Sequence, residues 1–73
     1  MDIEQIAAEL YRDGYCLQTH FVGPGRWECS LWTRRLKKPP FGTGKTQHSA
    51  IMDAIVDKNA LEKDAAWVQH RSA

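Results

Sequence analysis

Three groups of residues in this chain have types that do chemistry. They are the run Gly42-Thr43-Gly44-Lys45-Thr46, two cysteines with three histidines, and a string of cations between Arg26 and Lys45. Gly44-Lys45-Thr46 is how a nucleotide-phosphate loop ends, with backbone N–H groups and a lysine around a phosphate. That loop needs a glycine five residues before Gly44, and Pro39 stands there. It also needs a buried parallel strand before it and an acidic, metal-binding strand after it, and a chain of 73 residues in this order has no place for either. Nucleotide hydrolysis is set aside. A weaker chemistry survives: a glycine-rich approach to a helix start leaves free N–H groups at the positive end of the helix dipole, with Lys45 beside them. That suits one phosphate or carboxylate of a partner. A capped helix entered through an accommodating loop explains the same residues without any ligand.

Cys16, Cys29, His20, His48 and His70 raise the question of metal. No Cys-x-x-Cys or His-x-x-x-His spacing exists among them, and the strand register argued below puts the two cysteines on opposite faces of a hairpin. No metal site, no cofactor and no disulfide are expected. Cys29 reads as a small core residue. No Cys–His pair can be brought together for nucleophilic catalysis, and so short a chain encloses no substrate pocket, so the expectation is a protein that is not an enzyme.

The cations are the strongest signal. Arg26, Arg34, Arg35, Lys37, Lys38 and Lys45 stand against the single acid Glu28, a local net of +5, while the rest of the chain has a net of −4. The overall +1 therefore hides a polarised molecule, which draws a polyanion or an acidic protein patch to one side. Pro39-Pro40 limits the freedom of the segment that carries most of these charges. A basic, solubilising face with no partner is the plain alternative.

Length and composition define what can position these residues. One small domain over 1–73 is expected, with an ordered core over about 2–69, and at this size only about 60% of the unfolded chain's surface can be buried. An apolar fraction of 42% is ordinary for a globular protein. No apolar run approaches the roughly 20 residues that span a bilayer, and Met1-Asp2-Ile3-Glu4 lacks the basic start of a signal peptide, so no membrane partner and a cytoplasmic location are expected.

Ile3, Ile6, Ala7, Leu10 and Tyr11 recur at helical spacing, with Asp2 as cap and Gly14 as stop, and predict a helix over about 2–13. Strands follow at Tyr15–Val22 and Arg26–Arg34, around a Gly23-Pro24-Gly25 loop. Leu17, Thr19 and Phe21 share a face with Trp27, Cys29 and Leu31 only if Phe21 lies opposite Trp27. Gln18, His20, Arg26, Glu28, Ser30, Trp32 and Arg34 then face outward, with Cys16. Most suit a solvated face. Trp32 does not, and is read either as a contact residue or as a ring covered by the C-terminal segment or lying on the Arg34 stem. Residues 35–45 lack alternation, which leaves open a short third strand before the prolines. Thr46 caps a second helix with Ala50, Ile51, Ala54 and Ile55 buried, ending near Asn59. Leu61, Ala65 and Val68 make a weaker helical stripe beyond it, with Trp67 alongside, to about residue 69.

The order helix, strand, Gly-Pro turn, aromatic-led strand, Gly-x-Gly, helix resembles a degenerate double-stranded-RNA-binding domain. The match runs over about residues 3–61. It is carried by Tyr15 to Val22 as first strand, Gly23-Pro24 as loop, Trp27 as the aromatic opening the second strand, Gly42-Thr43-Gly44-Lys45-Thr46 as the turn into the last helix, and Ala50 and Ala54 on its inner face. The family's third strand falls where this chain has Leu36-Lys37-Lys38-Pro39-Pro40. Its loop histidine is missing here, and its lysine cluster is reduced to Lys45, followed by Gln47 and His48. In size and layout the chain is also similar to small phage and mobile-element proteins, including some anti-CRISPR proteins.

The sequence thus predicts an α+β fold: an N-terminal helix and a C-terminal helix or helices on one face of an antiparallel hairpin, with a possible short third strand. The expected core is Ile3, Ile6, Leu10, Leu17, Phe21, Trp27, Leu31, Ala54 and Ile55. The expected function is a non-enzymatic binding module that contacts nucleic acid or a nucleoprotein through Trp32, Arg34, Arg35, Lys37, Lys38, Lys45, Gln47 and His48, as monomer or homodimer. The rival is a protein-binding inhibitor or adaptor of phage or mobile-element origin, such as an anti-CRISPR protein, whose cations meet an acidic protein surface. RNA and DNA are not distinguished.

Overall fold

A computed structural model describes residues 2–72, and side chains over 2–64. Its first element is α1 (Ile3–Arg12), which starts in a reciprocal cap: Asp2 accepts from the Gln5 N–H at 2.8 Å, and the Gln5 side chain accepts from the Asp2 N–H at 3.2 Å. The helix ends in a paired-carbonyl stop around Gly14, whose φ is +95°. Gly14 N–H donates to the Tyr11 carbonyl and Tyr15 N–H to the Leu10 carbonyl, while the Tyr15 and Leu10 side chains are both buried. This is the hydrogen-bonded C-terminal motif that glycine makes possible, and it turns the chain directly into the sheet.

The sheet has three antiparallel strands in the order β1 (Cys16–Gly23), β2 (Arg26–Trp32), β3 (Phe41–Gly44). Phe21 lies opposite Trp27 and Leu17 opposite Leu31, the register the hydrophobic phase requires. The connection is tighter than a three-residue loop. Gly23 pairs with Arg26, Val22 is bulged out, and the turn is Pro24-Gly25 with Gly25 at φ +69°, proline then positive-φ glycine as in a type II turn. As the register demands, Cys29 is buried and Cys16 exposed, and both are free thiols.

The third strand lies after the prolines rather than before them. Ser30 pairs with Phe41 and Trp27 with Gly44, and the Pro40 carbonyl extends the ladder by accepting from the Leu31 N–H at 2.9 Å. Phe-Gly-Thr-Gly shows no apolar alternation because its inward positions, Gly42 and Gly44, are bare to let a helix lie on the backbone. A Cβ on Gly44 would fall 2.7 Å from the Ala50 nitrogen.

That helix is α2 (Gln47–Ser72), one continuous element that runs through Asn59 without stopping. Asn59 is followed by Ala60-Leu61-Glu62, and no glycine or proline follows to end the helix. The cap is Thr46, whose Oγ1 accepts from the Ser49 N–H at 3.0 Å while Ser49 Oγ accepts from the Thr46 N–H at 3.1 Å. The side chains of Ala65, Trp67, Val68 and His70 lie outside the described residues. α2 packs on β3 and β2, and α1 on β1, so both helices share one sheet face and the fold is α+β.

Between them lies the core of Ile6, Leu10, Tyr15, Cys29, Leu31, Ala50, Ile51 and Ala54, with Ile3, Leu17, Trp27, Leu36 and Ile55 packed around it. Phe21 is the exception to the expected core, being 55% exposed. Gln47, the first residue of α2, reaches only as far as Thr19, so Phe21 extends past the helical layer. Its ring meets Trp27 edge-on, centroids 5.3 Å apart, a favourable aromatic geometry at the tip of the hairpin. Among the described residues, no helix is long and apolar enough to cross a membrane.

Candidate functional site

With both helices on one side, the opposite sheet face has no described element over it. Across it run Gln18–Ser30–Phe41 and His20–Glu28–Thr43, with Cys16–Trp32 at one end. Trp32 closes β2 and is 51% exposed. Its indole N–H donates to Gln18 Oε1 at 2.6 Å. The polar edge is therefore satisfied within the sheet, and the Arg34 stem is not needed to hold the ring.

The chain after Trp32 forms the basic loop, and five contacts hold it. Thr33 Oγ1 accepts from the Arg35 N–H at 3.1 Å. Arg35 Nη1 donates to the Asp13 carbonyl at 3.0 Å, and lies 4.0 Å from Glu62 Oε1. Leu36 packs on the core, and Pro40 is fully buried where the loop rejoins the sheet. Arg34, Lys37 and Lys38 are exposed between these anchors. Of the expected contact residues in this loop, Arg35 is also a structural pin.

Lys45 sits at the other end of β3. Because Trp27 pairs with Gly44, Arg26 and Lys45 lie next to each other on adjacent strands and line one shallow hollow with Val22, Thr43 and the acid Glu28. The cations close in sequence are thus split in space: Arg34, Lys37 and Lys38 at one end of the sheet, Arg26 and Lys45 at the other, with the lengths of β2 and β3 between them. Among the described residues, Arg35 is the one cation of the basic stretch within 4.0 Å of a carboxylate. Two acids that could have neutralised the others are committed elsewhere. Asp57 accepts from the Phe41 N–H and Asp53 from the Thr43 N–H, both at 3.0 Å, along the free edge of β3.

Gln47 and His48 do not join either cluster. Gln47 is half-buried and donates to Thr19 Oγ1 at 2.9 Å. His48 is exposed beside the α1–α2 groove with Ile6, Leu10, Met52 and Ile55, on the helical side of the molecule. Of the first-turn N–H groups, that of Ser49 is taken by Thr46.

A network that sequence reasoning missed ties the loop to α2. The Tyr15 hydroxyl donates to Glu62 Oε1 at 2.7 Å. Lys58, buried although charged, places Nζ 3.6 Å from Glu62 Oε2 and 5.3 Å from the centre of the Tyr15 ring. Burial, then the bond to Glu62, pushes the Tyr15 hydroxyl up to about 12. The Tyr15 hydroxyl, then Lys58 and Arg35, hold the Glu62 carboxyl below the usual range despite its partial burial. Burial alone pushes the Cys29 thiol up to about 11, so it is no nucleophile at neutral pH. Only the i, i+4 spacing of Lys58 and Glu62 was visible in sequence. Among the described residues, no group of three or more His, Cys, Asp or Glu side chains is placed to hold a metal ion.

Comparison with protein-family models, with curated proteins and with solved structures finds no match to this chain.

Proposed function

We propose that this protein is a non-enzymatic nucleic-acid-binding module that contacts the phosphate backbone through its two cation groups. The observation that carries the reading is their arrangement. Arg26, Arg34, Lys37, Lys38 and Lys45 have no carboxylate partner among the described residues. They flank a sheet face with no described element over it, on which Trp32 and Phe41 are half-exposed at the loop end. Holding like charges at both ends of a small sheet does nothing for folding, since they repel. A polyanion laid across the face meets both groups and releases counterions at each. The order α1-β1-β2-β3-α2 supports the resemblance to a double-stranded-RNA-binding domain, whose members read duplexes mainly by shape and backbone.

The test is equilibrium binding of labelled RNA and DNA, single-stranded and duplex, at 50 and 200 mM salt. Five phosphate contacts give a slope of about −4 in log K against log salt, hence a loss of roughly 100–500-fold across that range. No binding to any of the four at 50 mM salt would refute the reading. An acidic protein surface, as an inhibitor or adaptor would use, would then be the partner to seek.

A further inference from the structure

At the Trp32 end of the sheet, a groove of about 680 Å³ opens between the end of α1 and the start of the basic loop. The size lies within the roughly 300–1,000 Å³ of small-ligand sites. Tyr15, at 1% exposure, Tyr11, at 73%, and Trp32 line the groove together with Arg34 and Arg35. Tyr11 belongs to the apolar stripe of α1, yet at the last turn of the helix it is left in solvent. The Trp32 N–H is already bonded to Gln18, so what the ring offers a ligand is its face and not its edge. Aromatic rings and arginine side chains lining one groove complement a flat, unpaired base joined to a phosphate.

We infer that this groove takes one unpaired nucleobase of a single-stranded segment, stacked on Trp32 with its phosphate on Arg34. The inference rests on the nucleic-acid reading above and adds to it a base-dependent contact that backbone neutralisation does not provide. Stacking is tolerant of base identity, so the site selects unpaired over paired nucleotides rather than one base over another.

The experiment compares a short oligonucleotide with its abasic counterpart, on the parent protein, Trp32→Ala and Trp32→Phe, with melting temperatures confirming that each variant folds. The expected result is a loss of about tenfold or more for Trp32→Ala on the base-bearing strand, with the salt slope unchanged and near-parent affinity for Trp32→Phe. The abasic strand should bind parent and Trp32→Ala alike. If Trp32→Ala binds the base-bearing strand as tightly as the parent does, or loses affinity equally for both strands, the inference is overturned while salt-dependent binding still supports the backbone reading. If no strand binds at low salt, both fail together, and the groove is left to a protein side chain.

Discussion

The backbone of Gly42 in β3 lies directly on that of Ala54 in α2. A Cβ on Gly42 would fall 2.8 Å from the Ala54 Cα and 2.5 Å from the Ala50 carbonyl oxygen, neither of which can move without shifting the helix. This close approach sets the distance between helix and sheet, and it explains why the third strand is built from glycines. Gly42→Ala should destabilise by at least about 1–3 kcal/mol, as overpacking does, lowering the melting temperature by roughly 5–20 °C in a domain of this size. Gly23→Ala is the control. Its Cβ meets nothing within 4 Å, so the melting temperature should stay within a few degrees of the parent's.

The Tyr15–Glu62 bond predicts how stability depends on pH. The folded Glu62 carboxyl titrates below its ordinary 4.5, so its contribution is present above that value and is lost as pH falls through the folded value. The Tyr15 hydroxyl is raised from 10.0 to about 12, so its contribution is complete below 10 and is lost as pH climbs from there toward 12. Tyr15→Phe should cost about 1 kcal/mol near neutrality, discounted because Glu62 is partly in solvent. Urea unfolding across the pH range should show a weaker acid decline for this variant and a flatter alkaline one. An unchanged pH profile would mean that the bond is not formed in solution.

Asp53 and Asp57 occupy the outward N–H groups of β3, which would otherwise offer a template for another strand. The double change Asp53→Ala, Asp57→Ala should therefore promote self-association as well as lower stability. Light scattering over a concentration series should show a mass that rises with concentration for the double variant and stays flatter for the parent.

Local signals in the sequence carried well into three dimensions. The α1 stripe with Asp2 and Gly14 at its ends, and the pairing of Phe21 with Trp27, depend only on neighbours and on the phase of two strands. What could not be read depends on distant partners. Gly42 and Gly44 looked like a turn because nothing local shows that a helix lies on them. Asn59 looked like a stop, yet the Tyr15–Glu62 contact ties α2 to the sheet three residues further on. Phe21 has the pattern of a core residue but extends beyond the first turn of α2. In the candidate site the cations were legible as a group. That they divide between two ends of the sheet, and that Arg35 and Gln47 are tied down by Asp13 and Thr19, was not.

That division makes the choice of residues for the central test specific. Arg34→Ala, Lys37→Ala and Lys38→Ala together remove three exposed charges and leave the Arg35 pin in place. The decisive measurement is the slope of log K against log salt for nucleic acid, on the parent and on this triple variant. Losing three phosphate contacts should flatten the slope by about 2–3 units and cut affinity at least tenfold at low salt, with the melting temperature unchanged or slightly higher as repulsion is relieved. A triple variant that folds normally and keeps both the parent's affinity and its salt slope would contradict the account.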